Sequence, residues 1–282
     1  MINTVYRLVA PRRFEIAFED INLFGENAIV RPTYLSICNA DMRYYLGTRD
    51  AKVLAEKLPM ALIHEGVGEV FLDPTGKFKT GDKVVMVPNA PVEKDEFIAE
   101  NYLRSSKFCG SSMDGFLQEF VEISPKRLVK LPDDIDMTVA AFTEIVSVSV
   151  HAISRFDKIA HARRNTISVW GDGNLGYITS LFLKYHFPKS KIVVFGTSSD
   201  KLADFTFADE THLVNEVPDG FTTDHAFECV GGNGSPIAIE QIIGLIKPEG
   251  TISILGVSEY PVPINTRMIL EKGLRVFGSS RS

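Results

Sequence analysis

Cysteine is scarce in this sequence. Cys38, Cys109 and Cys229 are the three cysteines in 282 residues and lie far apart, which excludes a disulfide framework. Basic residues are not in excess either: 30 Lys and Arg against 36 Asp and Glu give a formal charge of −6. Such a chain lacks the electrostatic grip on phosphate backbones that nucleic-acid binders use. No apolar run reaches membrane-spanning length, and the opening MINTVYRLVAPRR lacks the apolar core of a signal peptide. Internal repeats and low-complexity stretches are missing as well. What is there is ordinary globular composition, 45% hydrophobic and 23% charged. The length predicts about two domains. The expectation is a cytoplasmic protein with a sizeable core.

The two halves read differently. Up to about residue 140, short apolar or alternating runs such as Val67-Gly68-Glu69-Val70 and Lys83-Val84-Val85-Met86-Val87 are punctuated by turns such as Thr80-Gly81-Asp82. That pattern predicts many short strands and a β-rich, barrel-like domain. The polar stretch from Pro88 to Ser112 reads as a long loop. Asp136 is an expected N-cap for a helix joining the halves. Beyond it, candidate strands at Thr166–Trp170, Lys191–Phe195, Thr211–Val214, Asp224–Cys229, Gly250–Leu255 and Leu274–Phe277 alternate with helical stretches such as Leu175–Tyr185. Six strands in that alternation predict a doubly wound parallel sheet.

Gly171-Asp172-Gly173-Asn174-Leu175-Gly176 matches G-x-G-x-x-G directly after an apolar strand and before an apolar helix. Gly171 permits the turn, Gly173 lets a pyrophosphate approach the backbone, and Gly176 lets helix pack on strand. An NAD site ends the next strand in an acid that holds the ribose 2′-OH. Here Gly196 stands at that point, followed by Thr197, Ser198 and Lys201, which suit a 2′-phosphate; Asp200 is a rival acid, some four residues late. The bland alternative is that Thr197 and Ser198 cap the following helix. NADPH is the expected cofactor.

Four residues form a second constellation: Cys38 in Ser36-Ile37-Cys38-Asn39-Ala40-Asp41, His64 and Glu65 before Gly66, and Glu144 near a helix start. Singly, each has an ordinary structural explanation. Without such companions, His151, His161, His186, His212 and His225 are expected to be structural. Together, Cys38-Asn39-Ala40-Asp41, His64-Glu65-Gly66 and the glycine turn resemble the zinc-dependent medium-chain alcohol dehydrogenase family. The resemblance covers essentially the whole chain. It implies a GroES-like catalytic domain over residues 1–143 and a Rossmann domain over 144–282. It also implies one catalytic zinc held by Cys38, His64 and Glu144, with Glu65 as an exchangeable ligand and Asp41 orienting His64.

Departures from the family pattern matter. Between Pro88 and Gly115 stands one cysteine, Cys109, so a structural zinc with four thiolates is impossible. Ala40 replaces a proton-relay hydroxyl, leaving a zinc-bound water, Glu65 or a substrate hydroxyl to deliver the proton. Arg43 stands where a histidine is frequent. Further stretches, Leu58-Pro59-Met60-Ala61-Leu62-Ile63, Asp224-His225-Ala226-Phe227-Glu228-Cys229 and the ending Gly278-Ser279-Ser280-Arg281-Ser282, resemble bacterial members that reduce ribulose 5-phosphate to ribitol 5-phosphate with NADPH. That product is the precursor of CDP-ribitol for teichoic acid or capsule. Arg43 and Arg49, with Arg281 as a further candidate, would hold the substrate phosphate; the alternative is solvated surface arginine. Members with this activity continue past the ending quoted, which implies that the C-terminal part of the catalytic domain is missing here. Pro261-Val262-Pro263-Ile264-Asn265 resembles the family's dimer-forming edge and implies a homodimer; a cytidylyltransferase would be the pathway partner. Competing readings are a sorbitol- or xylitol-type polyol dehydrogenase, an inactive NADP-binding protein and a zinc-free quinone reductase.

Overall fold

Short apolar stretches broken by glycine and aspartate turns pair antiparallel in the first part of the chain. A computed structural model describes residues 1–281; Ser282, last of the ending quoted above, lies outside the described residues. Two units result, Met1–Glu144 and Ile145–Arg281. In the first, five strands lie in the order Leu128–Lys130, Lys83–Met86, Glu65–Leu72, Ala28–Ser36 and Val121–Ile123. Ala28, Val30, Val70, Val84, Met86, Phe116 and Ile123 bury their side chains in one cluster of this unit. Each large apolar side chain so buried stabilises the unit by about 1.5–3 kcal/mol. A smaller antiparallel sheet joins Arg13–Asp20, Ile2–Ala10 and Met60–Ala61.

Two expectations need correcting. The stretch Pro88 to Ser112 is not all loop: Asn89–Ala90 pairs with Lys107–Phe108, and Glu100–Tyr102 makes one 3₁₀ turn. Strands of two residues are too short to show alternation, so periodicity cannot reveal them. Asp136 does cap a helix, accepting from the Thr138 N–H at 2.8 Å, but that helix is the single turn Met137–Ala140. A separate helix, Thr143–Ile159, follows.

The second unit is a parallel sheet in the order Glu210–Leu213, Lys191–Gly196, Thr166–Trp170, Thr223–Glu228, Ile246–Ile254 and Arg275–Gly278. This is the doubly wound order. Thr166–Trp170 falls where the sequence places it; the others shift by a residue or so, except Ile246–Ile254, which begins earlier. Alternate residues serve opposite faces. Ile167, Val169, Ile192 and Val194 join one buried cluster, while Trp170, Val193 and Phe195 join another. Helix Asn174–His186 ends at Phe187, before Pro188 can disrupt it. No helix among the described residues is long and apolar enough to cross a membrane.

Candidate active site

Cys38 is held by a helix start. It is the N-cap of Asn39–Leu46: its Sγ accepts from the Ala40 N–H at 3.2 Å, and the Asp41 carboxylate accepts from the Cys38 N–H at 3.1 Å. This reciprocal capping box fixes the thiol at the positive end of the helix. The helix closes at Gly47, whose φ of +71° suits glycine.

His64 is positioned by a strained neighbour. Ile63 has φ +74°, uncommon for a β-branched residue and costing about 1–3 kcal/mol. Bonds on both sides hold it there. Asp41 Oδ1 accepts from the Ile63 N–H at 3.0 Å, and the Ile63 carbonyl accepts from the Phe116 N–H at 2.7 Å. The second bond depends on Gly115, where a Cβ would lie 2.2 Å from the Ile63 oxygen. Phe108, from the ladder unseen in the sequence, packs its ring 5.3 Å from the His64 ring.

The outcome is a tight group. Cys38 Sγ lies 3.4 Å from His64 Nε2, and Glu65 Oε1 lies 4.0 Å from the same nitrogen. Asp41 Oδ1 faces the other ring nitrogen, Nδ1, at 3.6 Å. One ligand atom from each of Cys38, His64 and Glu65 falls within 4.8 Å of the others. In tetrahedral zinc sites, with bonds of about 2.3 Å to sulfur and about 2.0 Å to nitrogen, neighbouring donors stand roughly 3.3–3.8 Å apart. The Cys38 to His64 spacing fits, and Glu65 needs a small inward shift. Thiolate, imidazole and carboxylate with a fourth position open are the donor set of a catalytic zinc.

Electrostatics favour a cation there. Burial pushes the Cys38 thiol up, although His64 pulls it down. Burial likewise raises Glu65, against a hydrogen bond from Ser36, its partner across the sheet. For Asp41 burial opposes the charge, but His64 and the Ile63 and Cys38 amides outweigh it and the carboxyl lies below its ordinary value. Burial also works against a proton on His64, yet Asp41 and Cys38 overcome it and push the imidazole up to about 11. A divalent ion would replace these shared protons.

In the second unit, Gly171 has φ +131°, and a Cβ on Gly176 would lie 2.0 Å from the Gly171 carbonyl oxygen. Both glycines are required by the turn itself. Gly173 opens the helix Asn174–His186, and nothing within 4 Å crowds the place of its missing Cβ. Ser198 caps the short helix Ser199–Leu202, accepting from the Lys201 N–H at 3.4 Å, as the bland alternative has it, whereas the Thr197 hydroxyl donates to Asp172 instead. Lys201 and Asp200 are exposed.

The Alcohol dehydrogenase GroES-like domain family matches residues 25–133. Ribulose-5-phosphate reductase 1 of Staphylococcus aureus is 57% identical over 282 residues, covering all of this chain and 83% of that protein. The chain belongs to the zinc-dependent medium-chain alcohol dehydrogenase family. Within it, the chain resembles the ribulose-5-phosphate reductases; that of Bacillus spizizenii is 56% identical over the same shares. The crystal structure of S. aureus TarJ in complex with NADPH is similar at a TM-score of 0.87 and 52% identity, over all of this chain and 81% of that one.

Set against this family, the other expected residues fall as follows. Glu144, buried in the first turn of Thr143–Ile159, is not in the three-residue donor group. Ala40 bears no hydroxyl and gives its N–H to Cys38. Arg43 and Arg49 are half-buried rather than solvated, and Arg49 lies over the Tyr44 ring at 4.7 Å. Arg281 is also half-buried. Pro261 to Asn265 is irregular, and Asn265 caps the helix Thr266–Lys272. Reading the sequence missed Gly115, Ile63 and Ser36 as supports of the group. A glycine before an apolar run carries no signal of which carbonyl it must admit.

Proposed function

We propose that this chain is a cytoplasmic oxidoreductase that reduces D-ribulose 5-phosphate to D-ribitol 5-phosphate with NADPH, supplying CDP-ribitol for teichoic acid or capsule. The observation that carries this reading is the 57% identity to a ribulose-5-phosphate reductase, maintained over the whole chain.

Cys38, His64 and Glu65 would hold the zinc, and Glu144 is assigned as the carboxylate that exchanges with Glu65. Asp41 orients the His64 imidazole from its Nδ1 side, leaving Nε2 for the metal. When bound, zinc supplies a Lewis acid for the C2 carbonyl and NADPH supplies the hydride. Gly171, Gly173 and Gly176 admit the pyrophosphate to the turn, where helix N–H groups receive it. Thr197, Ser198 and Lys201 are assigned to the 2′-phosphate. The Arg43 and Arg49 guanidinium groups are assigned to the substrate phosphate, which they can grip in bidentate fashion. The protein acts as a homodimer through the segment Pro261 to Asn265, with a cytidylyltransferase next in the pathway.

The test is NADPH oxidation with a panel of ketose phosphates and free ketoses, with and without a chelator. Ribulose 5-phosphate is expected to be turned over far faster than ribulose, and chelation to abolish it. Equal rates with ribulose would make the protein a polyol dehydrogenase, and equal or better turnover with NADH would overturn the cofactor assignment.

A further inference from the structure

The acid missing from the end of strand Lys191–Gly196 is missing because its place is taken. A Cβ on Gly196 would lie 2.7 Å from the Asp172 Cβ and 2.9 Å from the Asp172 Oδ2. Any side chain at 196 must displace the carboxylate that the glycine turn sends across. Asp172 Oδ2 accepts three hydrogen bonds there: from the Thr197 N–H at 2.7 Å, the Ser198 N–H at 2.8 Å and the Thr197 hydroxyl at 3.2 Å. Thr197 and Ser198 are the residues assigned above to a 2′-phosphate. Partial burial opposes the charge on Asp172, but the Thr197 and Ser198 donors outweigh it, helped by Lys201, and hold the carboxyl below its ordinary value. It is ionised at neutral pH.

Two consequences follow for an incoming nucleotide. A 2′-phosphate meets a carboxylate of like charge and finds the amides already engaged, which costs affinity. A 2′-OH meets an acceptor, as it does in sites where the second strand supplies the acid. Lys201 is the cation that counters the first effect.

We propose that Asp172 is a specificity-determining residue that holds down the preference for NADPH over NADH, its carboxylate occupying the Thr197 and Ser198 donors. This rests on the dinucleotide reading of the glycine turn. The experiment measures Kd for NADPH and NADH by nicotinamide fluorescence in the wild-type chain, Asp172→Asn and Asp172→Ser, with melting followed in parallel. Asp172→Asn keeps the shape and one acceptor but removes the charge. It is expected to shift the ratio of the two Kd values about fivefold toward NADPH, the scale of one half-exposed charge. Asp172→Ser frees the donors and is expected to shift it further. A ratio unchanged or moved toward NADH in a normally melting Asp172→Asn overturns the proposal, and that variant decides if Asp172→Ser does not fold. A wild-type chain that binds neither nucleotide overturns the dinucleotide reading beneath it; binding with an insensitive ratio overturns this inference alone.

Discussion

Gly115→Ala tests whether the backbone around Ile63 builds the metal group. The added methyl would lie 2.2 Å from the Ile63 oxygen and 2.3 Å from the Leu62 oxygen, both main-chain atoms. Carbon and oxygen come no closer than about 3.3 Å without repulsion, so the segments must part by about 1 Å. The parting breaks or stretches two bonds of 2.7 Å, from the Gly115 N–H to the Ala61 carbonyl and from the Phe116 N–H to the Ile63 carbonyl. At about 1 kcal/mol each, with about 1–2 kcal/mol of overpacking, the loss is about 3–4 kcal/mol. In a unit of this size that lowers Tm by roughly 10 °C. His64 follows Ile63 directly and moves with it, so zinc affinity is expected to fall by about 10–100-fold. Thermal melting and competition with a chromophoric chelator read the two effects. The control is Gly244→Ala in helix Ser235–Leu245, where nothing lies within 4 Å of the new methyl; it should gain up to about 1 kcal/mol. A Gly115→Ala protein that melts within a degree or two of wild type and keeps its zinc affinity would refute the reasoning.

Three further expectations concern single residues. Cys38→Ser and Glu65→Gln should each lower the zinc content after dialysis severely, whereas Glu144→Gln should retain the ion and lose turnover; equal zinc loss in both glutamate variants would place Glu144 in the resting ligand set. Arg43→Ala should raise KM for ribulose 5-phosphate about tenfold or more, the scale of a lost charge-assisted pair, with kcat little changed; an unchanged KM removes Arg43 from the phosphate site. His225 is fully buried, with Nδ1 accepting from the Thr251 N–H and Nε2 against the Arg163 carbonyl. Burial, and then His161, lower it from 6.5 to about 4. The unfolded chain therefore takes up the proton first: stability is intact above about pH 6.5 and declines toward pH 4, by about 3 kcal/mol. His225→Gln should flatten that decline in denaturant titrations, and an equally steep decline would show that other groups cause it.

The sequence by itself determined the architecture and the family. Short apolar runs between turn residues marked the longer strands, alternating where one sheet face is buried and continuous in the parallel sheet, whose strands are buried on both faces. The glycine turn was legible because backbone geometry, not neighbours, requires Gly171 and Gly176. Cys38 and His64 could be named because their motifs are local. The tertiary structure brings the Glu65 carboxylate to 4.0 Å from His64 Nε2. Adjacent residues in a regular strand point to opposite faces, so alternation alone does not bring Glu65, expected as an exchangeable ligand, to the side of His64. Yet the strand begins at Glu65, and the positive φ of Ile63 turns His64 out of that alternation. The fold likewise decided what the empty position at Gly196 means. It lies 24 residues from Asp172 in the chain, and a carboxylate that crosses between two parallel strands leaves no periodic trace. Local chemistry can be read along the chain; the meeting of side chains from distant segments is fixed by packing.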